Sequence, residues 1–215
     1  MRRSHLTKRL LIIGAGGHGK VAADCAKLTK GYSEIGFLDT GYPAVKQVGD
    51  WQVLGDGEDL SHFVDPDTCF FVAVGDNHGR AKLMARLQIA LGKLETLIHP
   101  SAVVSHYAEV GEGTLVCANV TINIAAKIGR GCIINTAASV DHDCQIEDYV
   151  HLAPGARLAG KIRVGEGTFV GIGSTIIPGL VLGKECILGA GSTLLKDLPD
   201  HSVAVGTPAK LIRQR

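Results

Sequence analysis

The hydrophobic residues recur every six positions from residue 104 onward. Every sixth residue from Val104 to Leu194 is valine, isoleucine or leucine, without a break over sixteen steps. The residue four positions after each of these aliphatic residues is small or branched almost throughout, from Ala108 to Ser174. A period of six fits neither a helix nor an alternating strand. It is typical of a hexapeptide-repeat parallel β-helix.

In such a fold each hexapeptide forms one short strand and one corner, so three hexapeptides make a triangular coil. The sixteen steps therefore predict about five coils of eighteen residues each. We expect the aliphatic side chains to point into the prism and stack on one another, with the small residues also inside, near the corners. Glycine often follows the aliphatic residue, as in Val110-Gly111 and Val164-Gly165, and we expect it to relieve backbone strain at the turn.

The first part of the chain shows no six-residue period and alternates predicted strands with predicted helices. The pattern predicts strands at Arg9–Ile13, Glu34–Leu38, Cys69–Val74 and Glu95–Ile98, and helices at Gly17–Thr29 and Asn77–Leu91. Gly92 suits the end of the second helix. We therefore predict an α/β, Rossmann-like βαβαβ domain over residues 1–98 and an all-β parallel β-helix over residues 99–215, with His99-Pro100 at the junction.

Composition excludes several classes of partner. The chain of 215 residues has a net charge of +1 and no basic stripe, so we expect no nucleic-acid partner. No segment approaches the roughly 18 apolar residues that span a bilayer, and the basic start MRRSHLTKR precedes only a four-residue aliphatic run. We therefore expect no signal peptide and no membrane partner. The six cysteines form no C-x-x-C pair, which favours buried thiols, a cytoplasmic location and no metal site.

A glycine turn near the start suggests nucleotide binding. Gly14, Gly16 and Gly19 fit the pattern G-x-G-x-x-G after an apolar run, and Asp39 follows Gly19 by twenty residues. A dinucleotide requires two mononucleotide-binding halves. Only about 85 residues lie between this strand and the repeats, so we expect one nucleotide and not NAD.

The residues around this turn suit the parts of a nucleotide. Backbone N–H groups at the helix N-terminus suit a pyrophosphate, His18 could donate to a phosphate, and Asp39 could accept from a ribose or a base. The segment AVGDNHGR, which ends at Arg80, repeats the strand–turn–helix pattern, so Gly75, Asn77 and Arg80 could line the same cleft at the carboxyl ends of the strands. These residues also suit plain turns and helix caps. The predicted nucleotide-sugar site comprises Gly16, Gly17, His18, Asp39, Thr40, Gly75 and Asn77.

The chain resembles a known family of bacterial enzymes. The segments GAGGHGKV, GFLDT, AVGDN, NTAASVDHDCQIEDYVHLAPGA and VGTPAK occur in this order, and together they resemble the sugar acetyltransferases of the PglD/NeuD type. Nearest are the UDP-4-amino-sugar N-acetyltransferases of bacillosamine-type glycan synthesis. The resemblance implies a left-handed β-helix, a UDP-sugar on the N-terminal half, and acetyl-CoA as co-substrate between neighbouring subunits of a homotrimer.

The segment SVDHDCQIEDYVH carries the chemistry that this resemblance implies. His142 lies two residues after the inward-pointing Val140, so it faces outward, and the family's catalytic histidine falls at this place. An imidazole that titrates near neutrality suits the removal of a proton from an attacking sugar amine. The neighbouring acid, Asp143, is expected to orient the ring, with Asp141 as the alternative. Cys144 occupies an inward slot, so we expect direct attack and no acyl-enzyme.

The resemblance also implies the contacts of the thioester. The backbone N–H of Gly160, one coil after His142, is the expected donor to the thioester oxygen. Lys210 and Arg213 could meet CoA phosphates or could simply be a solvated basic tail. The implied acetyl-CoA contacts are Asn135, His151, Gly160, Ile172, Ser174 and Lys210.

Three other functions remain open from the sequence. Zinc carbonic anhydrases use the same prism with three histidines; His106 and His142 have the first spacing of that pattern, but its third position is Glu147. A nucleotide-sugar binding module without turnover is a second alternative. A sialic acid O-acetyltransferase is the third, although such an enzyme would not need the nucleotide site.

Overall fold

The computed structural model describes residues 8–29 and 31–214. The chain divides into two compact units between Pro100 and Ser101, two residues after the predicted boundary. The first unit is an α/β domain, and the second is a parallel β-helix. The predicted fold class is therefore confirmed.

The first unit is built on a six-stranded sheet in the order β3-β4-β2-β1-β5-β6. Its pairings are parallel apart from the β3–β4 hairpin. Strand β1 lies in the centre, which explains its continuous run of fully buried aliphatic residues. The elements are β1 (Arg9–Ile13), α1 (Gly17–Thr29), β2 (Glu34–Leu38), β3 (Gln47–Val48), β4 (Trp51–Gly55), a 3-10 turn (Leu60–Phe63), β5 (Thr68–Val72), α2 (Asn77–Ile89), β6 (Lys93–Leu94) and β7 (Leu97–Ile98).

The end of helix α2 differs from the prediction. The helix stops at Ile89, and the residue in the left-handed conformation is Leu91, with φ of 58°. Gly92 follows it and donates its N–H to the carbonyl of Leu87 at 2.9 Å. A Cβ at Gly92 would lie 2.9 Å from the Leu87 side chain. Gly92 thus lies just beyond the helix end, where an added Cβ would press on the tip of the Leu87 side chain, and the left-handed residue at this helix stop is Leu91.

The second unit contains sixteen two-residue strands within the described chain. In each of them the second residue is one of the sixteen repeated aliphatics. The bounds are β8 (Val103–Val104), β9 (Glu109–Val110), β10 (Leu115–Val116), β11 (Thr121–Ile122), β12 (Lys127–Ile128), β13 (Ile133–Ile134), β14 (Ser139–Val140), β15 (Gln145–Ile146), β16 (His151–Leu152), β17 (Arg157–Leu158), β18 (Arg163–Val164), β19 (Phe169–Val170), β20 (Thr175–Ile176), β21 (Val181–Leu182), β22 (Ile187–Leu188) and β23 (Thr193–Leu194). A hairpin of β24 (Ser202–Gly206) and β25 (Ala209–Gln214) follows.

The register of these strands fixes the coil. Each strand pairs in parallel with the strand eighteen residues away, as Ile122 does with Val140 and Val140 with Leu158. Fourteen of the sixteen repeated aliphatics are buried among the described residues, and the two in the first coil, Val104 and Val110, are partly exposed. The six-residue sequence period is therefore the spacing between faces of the prism.

The glycines that follow an aliphatic residue serve a purpose that differs from the one predicted. At Gly111, Gly129 and Gly165 the φ angle is not positive. A Cβ at Gly111 or Gly165 would lie about 2.5 Å from backbone atoms of the next coil, and at Gly129 it would meet the Asp148 carboxylate at 2.4 Å. These positions need glycine because successive coils approach closely, not because the turn is strained.

The small inward residues close the corners with hydrogen bonds. The hydroxyl groups of Thr114, Thr168 and Ser174 each donate to a carbonyl fifteen residues later, at 2.8–2.9 Å. The thiol of Cys144 makes the same contact at 3.1 Å, with the carbonyl of Ala159. Buried carbonyl groups at the corners are thus satisfied without a bulky side chain.

Candidate active site

His142 lies on an outward corner of the β-helix directly after β14. Val140 and Cys144, on either side of the corner, are fully buried inside the prism. The two residues between Asp141 and Cys144 are therefore turned outward, and the side chains of His142 and Asp143 are 48% and 52% exposed. The six-residue frame places this imidazole at the surface, as predicted.

The imidazole of His142 is held by the residue that follows it. Its Nδ1 lies 2.8 Å from Oδ2 of Asp143. Asp143 has φ of 60°, a left-handed conformation that aspartate adopts more readily than most residues. With the carboxylate ionised, Nδ1 carries the proton, and Nε2 presents a lone pair.

The second neighbouring acid holds the backbone and not the ring. Oδ1 of Asp141 accepts the N–H of His142 at 2.8 Å and the side-chain amide of Asn123 at 2.8 Å. The hydrogen bond from the His142 N–H, followed by that from Asn123, lowers the pKa of Asp141 below its usual value. The two carboxylates that the sequence left as alternatives therefore make different contacts. Asn123 was not among the predicted site residues, although it stands one coil, eighteen residues, before Asp141.

Gly160 lies directly against the imidazole. A Cβ at this position would be 2.4 Å from Nε2 and 2.5 Å from Cε1 of His142. Gly160 is buried, and its N–H donates to no acceptor in the part of the chain that the structure describes. The preceding residue, Ala159, has no side-chain acceptor, whereas Asp141 caps the equivalent N–H one coil earlier. Nε2 and an uncommitted backbone donor thus lie side by side.

Cys144 is not a nucleophile in this arrangement. Its side chain is fully buried, and its thiol donates to the Ala159 carbonyl. Burial raises the pKa of this thiol above its usual value, so the reactive thiolate is disfavoured.

Asn135 and His151 contact each other between adjacent coils near a different corner of the prism, since β13, just before Asn135, pairs with β16, which contains His151. Asn135 precedes β14 and His142 follows it, so one face of the prism separates them. The Asn135 amide nitrogen lies 3.2 Å from Nε2 of His151, and the His151 ring packs edge-on against Phe169, with 5.1 Å between the ring centroids. Ile172, at the corner one coil further on than Pro154, is 59% exposed.

Two other residues expected to contact acetyl-CoA lie elsewhere. Ser174 is fully buried and its hydroxyl donates to the Gly189 carbonyl at 2.8 Å. Its hydroxyl does not reach the surface, because the residue fills an inward slot, and the contact of Ser174 with acetyl-CoA stays a prediction. Lys210 lies exposed on β25, in the C-terminal hairpin with Arg213.

In the first unit, two glycines of the G-x-G-x-x-G pattern are required by the fold. Gly14 has φ of 102°, and a Cβ there would lie 2.9 Å from the Ala73 carbonyl oxygen. A Cβ at Gly19 would lie 2.1 Å from the carbonyl oxygen of Gly14. These contacts let helix α1 begin directly against β1 and β5.

Three other glycines have no such requirement. Gly16, Gly17 and Gly75 do not have a positive φ, and within residues 8–29 and 31–214 no atom lies within 4 Å of a Cβ added at any of them. All three are exposed. Their bare backbone therefore leaves room for something outside the described chain to approach closely.

A buried cation lies close to this turn. Arg80 is fully buried, and its guanidinium donates to the Val74 carbonyl at 2.9 Å and to the Asn77 side chain at 2.7 Å. These hydrogen bonds support the 74–77 loop. The Arg80 side chain is buried and does not line a cleft, contrary to the prediction. Burial, followed by the charge of Arg80, lowers the pKa of His18 to about 4. The Nε2 atom of His18 is buried and has no hydrogen-bond partner within residues 8–29 and 31–214.

Asp39 ties two backbone segments together at the end of β2. Its Oδ2 accepts the N–H of Ala15 at 2.7 Å, and its Oδ1 accepts the N–H of Gly41 at 2.8 Å. Thr40 is exposed beside it. Asp39 thus shapes the glycine turn, and each carboxylate oxygen retains a second lone pair.

We expect the depressed pKa of His18 to make the first unit less stable in mild acid. The unfolded chain takes up a proton on this imidazole near pH 6.5, whereas the folded unit does so only near pH 4. The contribution is present above pH 6.5 and is lost as the pH falls towards 4. Between pH 7 and pH 5 it lowers the free energy of unfolding by about 2 kcal/mol.

Urea unfolding at pH 7 and pH 5 measures this effect. Trp51, the single tryptophan of the chain, lies in the first unit and reports its unfolding by fluorescence. The variant His18→Gln should lose about 2 kcal/mol of the pH dependence seen in the native protein. An equal fall in both proteins would show that His18 does not titrate in this way.

The described residues contain no group of three or more histidine, cysteine, aspartate or glutamate side chains suited to a metal ion. Within the same residues no helix has the length and apolar character that crossing a membrane demands. A cleft of about 380 Å³ lies on a different face of the β-helix, between Glu109 and Glu166, and does not include His142.

Two family models match the chain. Residues 9–87 match the PglD N-terminal domain, and residues 161–196 match the bacterial transferase hexapeptide (six repeats). Together they describe the turn that contains His18 and the later coils of the β-helix.

Solved structures match nearly the whole chain. The acetyltransferase domain of PglB from Neisseria gonorrhoeae FA1090 is 37% identical, with a TM-score of 0.92 over 95% of this chain and 100% of that chain. That domain has also been solved in complex with acetyl coenzyme A. PerB from Caulobacter crescentus, in complex with CoA and GDP-perosamine, is 40% identical, with a TM-score of 0.89 over 95% of this chain and 97% of that chain.

The curated relatives match over shorter stretches. GDP-perosamine N-acetyltransferase from Escherichia coli O157:H7 is 34% identical over 122 residues, which is 57% of this chain and 55% of that protein. A putative acetyltransferase from Staphylococcus aureus is 39% identical over 67 residues, which is 34% of its length. The chain thus spans about half or less of the curated relatives that it matches. With both units matched and two solved relatives covered almost completely, the chain belongs to the family of sugar N-acetyltransferases that join a PglD-type N-terminal domain to a hexapeptide-repeat β-helix.

Proposed function

We propose that this protein transfers the acetyl group of acetyl-CoA to the 4-amino group of a UDP-linked amino-deoxy sugar. The observation that carries the proposal is the imidazole of His142, bound by Asp143 through Nδ1 and lying with Nε2 against Gly160. This geometry provides a base and a backbone hydrogen-bond donor within one small volume. Acyl transfer to an amine needs both.

The reaction follows from this arrangement. The sugar amine attacks the thioester carbonyl carbon, a C–N bond forms, and Nε2 of His142 takes the proton that the nitrogen loses. The N–H of Gly160 donates to the oxygen that becomes negative. The C–S bond then breaks, and the imidazolium returns its proton to the leaving thiolate of CoA. Asp143 stabilises the imidazolium through Nδ1.

The bare glycines of the first unit support a nucleotide site there. Gly16, Gly17 and Gly75 are exposed and sterically free, at the start of α1 and just before α2. Backbone N–H groups at the start of a helix bind a pyrophosphate well, and α1 has no acidic residue in its first turn. His18 is neutral at pH 7, because its pKa is about 4, and its buried Nε2 suits a single hydrogen bond to the ligand. Within this site Thr40 and Asn77 remain predicted contacts.

A GDP-linked sugar is the second candidate. The Caulobacter relative was solved with GDP-perosamine, and the Escherichia coli relative is named for the same substrate. Asp39 does not by itself distinguish a uracil from a guanine, because each of its oxygens binds one backbone N–H and retains a lone pair that either base could use. The UDP assignment follows from the family resemblance, and the GDP alternative follows from these relatives.

Acetyl-CoA is proposed to lie along the corner that carries Asn135, His151 and Ile172. A CoA complex of the Neisseria relative supports this co-substrate. His142 lies across one face of the prism from that corner, so a single coil does not bring them together. This separation supports a homotrimer in which acetyl-CoA lies between neighbouring subunits.

The test is an assay of the purified protein with acetyl-CoA and a panel of UDP- and GDP-linked amino sugars. Release of the CoA thiol gives the rate, and mass spectrometry of the product identifies an amide or an ester. Turnover of a UDP-linked 4-amino sugar, with amide formation, is the expected result. Preference for a GDP-linked amino sugar would transfer the assignment to the second candidate.

Two controls decide between enzyme classes. Sugars with a hydroxyl in place of the 4-amino group should not react; acetylation of hydroxyl sugars alone would exclude N-acetylation and favour an O-acetyltransferase. Binding of a UDP-sugar without thiol release from any substrate would favour the binding module instead.

A further inference from the structure

Hydrogen bonds connect His142 to a polar side chain of the preceding coil. We call this series of contacts, from Asn123 through Asp141 to His142, the polar ladder. Asn123 stands at the same corner position as Asp141, eighteen residues earlier, and its side-chain nitrogen donates to Oδ1 of Asp141 at 2.8 Å. The same oxygen accepts the backbone N–H of His142 at 2.8 Å. One carboxylate oxygen therefore connects the earlier coil to the backbone that carries the imidazole.

This arrangement occurs at one place along the corner. The equivalent positions in the other coils hold neither an amide nor a carboxylate: Ser105, Ala159, Ile177 and Leu195. Ser105 makes a local contact instead, accepting the N–H of Tyr107 at 3.3 Å. A ladder that served only to join coils would be expected along the whole corner, whereas this one ends at His142.

The His142 side chain has reason to need such support. It is about half exposed, so neighbouring side chains pack around it only in part. Asp143 fixes the rotation of the ring through Nδ1, but it does not fix the backbone from which the ring extends. Asp141 binds that backbone through the N–H of His142, and Asn123 donates to the same Asp141 oxygen.

We propose that Asn123 is a positioning residue for acetyl transfer. It clamps Asp141, which in turn fixes the backbone of His142 so that Nε2 stays against Gly160. The role in catalysis rests on the proposed function. Asn123 touches no reacting atom, and its effect on the rate passes entirely through His142.

Kinetics of three variants test the proposal. Asn123→Ala should lower kcat about 10-fold and leave the KM of both substrates within about twofold, since only the alignment of the base is lost. Asp141→Ala should lower kcat by at least the same factor. Asp141→Asn retains an oxygen that accepts both hydrogen bonds, so it should keep kcat within about threefold of the native value. A purely structural ladder would produce neither the split between kcat and KM nor this rescue.

The chain offers a matched control. Lys127 and Glu109 also lie one coil apart on an exposed face, with 3.0 Å between Nζ and Oε1. Lys127→Ala removes an ion pair of similar span that contacts neither Asp141 nor His142 among the described residues, and it should leave kcat unchanged. An Asn123→Ala variant with no greater loss of kcat than Lys127→Ala would overturn the proposal. So would Asp141→Asn with a kcat as low as that of Asp141→Ala.

A readout that needs no substrate separates this inference from the proposed function. In protein labelled with ¹⁵N-histidine, the His142 ring should show the single Nδ1–H tautomer that Asp143 selects. Asn123→Ala should broaden or shift these ring signals, and Lys127→Ala should not. If the native protein acetylates no sugar on the panel, the proposed function fails, yet the ring signals still decide whether Asn123 positions His142. Ring signals identical to those of the native protein in Asn123→Ala would refute it.

Discussion

The variant His142→Ala is expected to have a kcat about 10² to 10⁴ times lower than that of the native protein, which is the usual contribution of a positioned general base. Without the imidazole, the group that takes the proton of the sugar amine in the proposed reaction is lost. The affinity for acetyl-CoA, measured by calorimetry, should change little, since the proposed CoA corner lies across β14 from His142. Thiol release under saturating substrates measures the loss of kcat.

His106→Ala is the matched control for this experiment. His106 is exposed at the corresponding corner position two coils earlier, thirty-six residues before His142. It contacts none of the residues proposed for catalysis, so kcat should be unchanged. If both variants lost activity together and the native protein retained zinc after purification, the general-base role would give way to a metal site. A His142→Ala enzyme with nearly native kcat would end the proposal on its own.

The repeated half of the fold followed from the sequence because its signal is redundant. Sixteen aliphatic positions specify the same spacing, and a strand of two residues has almost no boundary to misplace. Fewer elements of the first unit were predictable from the sequence. Strands β1 and β2 and helix α1 have the predicted bounds, but the hairpin of β3 and β4 was missed. Its strands are short, and its signal is a single Gly49-Asp50 turn, with φ of 58° at Gly49.

The candidate site was predictable where the direction of a side chain follows from the six-residue repeat. It was not predictable where it depends on hydrogen bonds between distant residues. The six-residue repeat predicted that His142 faces outward and that Gly160 lies one coil later. The repeat also placed Ser174 inward, where its hydroxyl donates to the Gly189 carbonyl. Asn123 was missed because its partner is reached by counting eighteen residues and not by reading a local motif. Arg80 was placed in a cleft because a helix start suggests exposure, whereas its guanidinium binds the carbonyl groups of its own loop.

Gly160→Ala is expected to reduce kcat by about 100-fold or more while leaving the fold intact. The new methyl group would lie 2.4 Å from Nε2 of His142, well inside the roughly 3.5 Å at which such atoms normally meet. Gly160 does not have a positive φ, so alanine fits its backbone. The ring is about half exposed and can turn away into solvent at small cost. The methyl group therefore separates the base from the backbone donor without unfolding the coil, a loss that kcat and the melting temperature measured together would show.

Gly31→Ala supplies the matched control, because an added Cβ there meets no atom within 4 Å and the φ of Gly31 is not positive. It should leave both kcat and the melting temperature unchanged. A crystal structure of Gly160→Ala should show the His142 ring rotated, with its Nδ1 contact to Asp143 broken. Because the substitution removes no chemical group from the site, a large loss of kcat would arise from the position of the imidazole alone. An active Gly160→Ala enzyme would mean that catalysis does not need Nε2 against this residue, and the base and donor would have to be sought elsewhere.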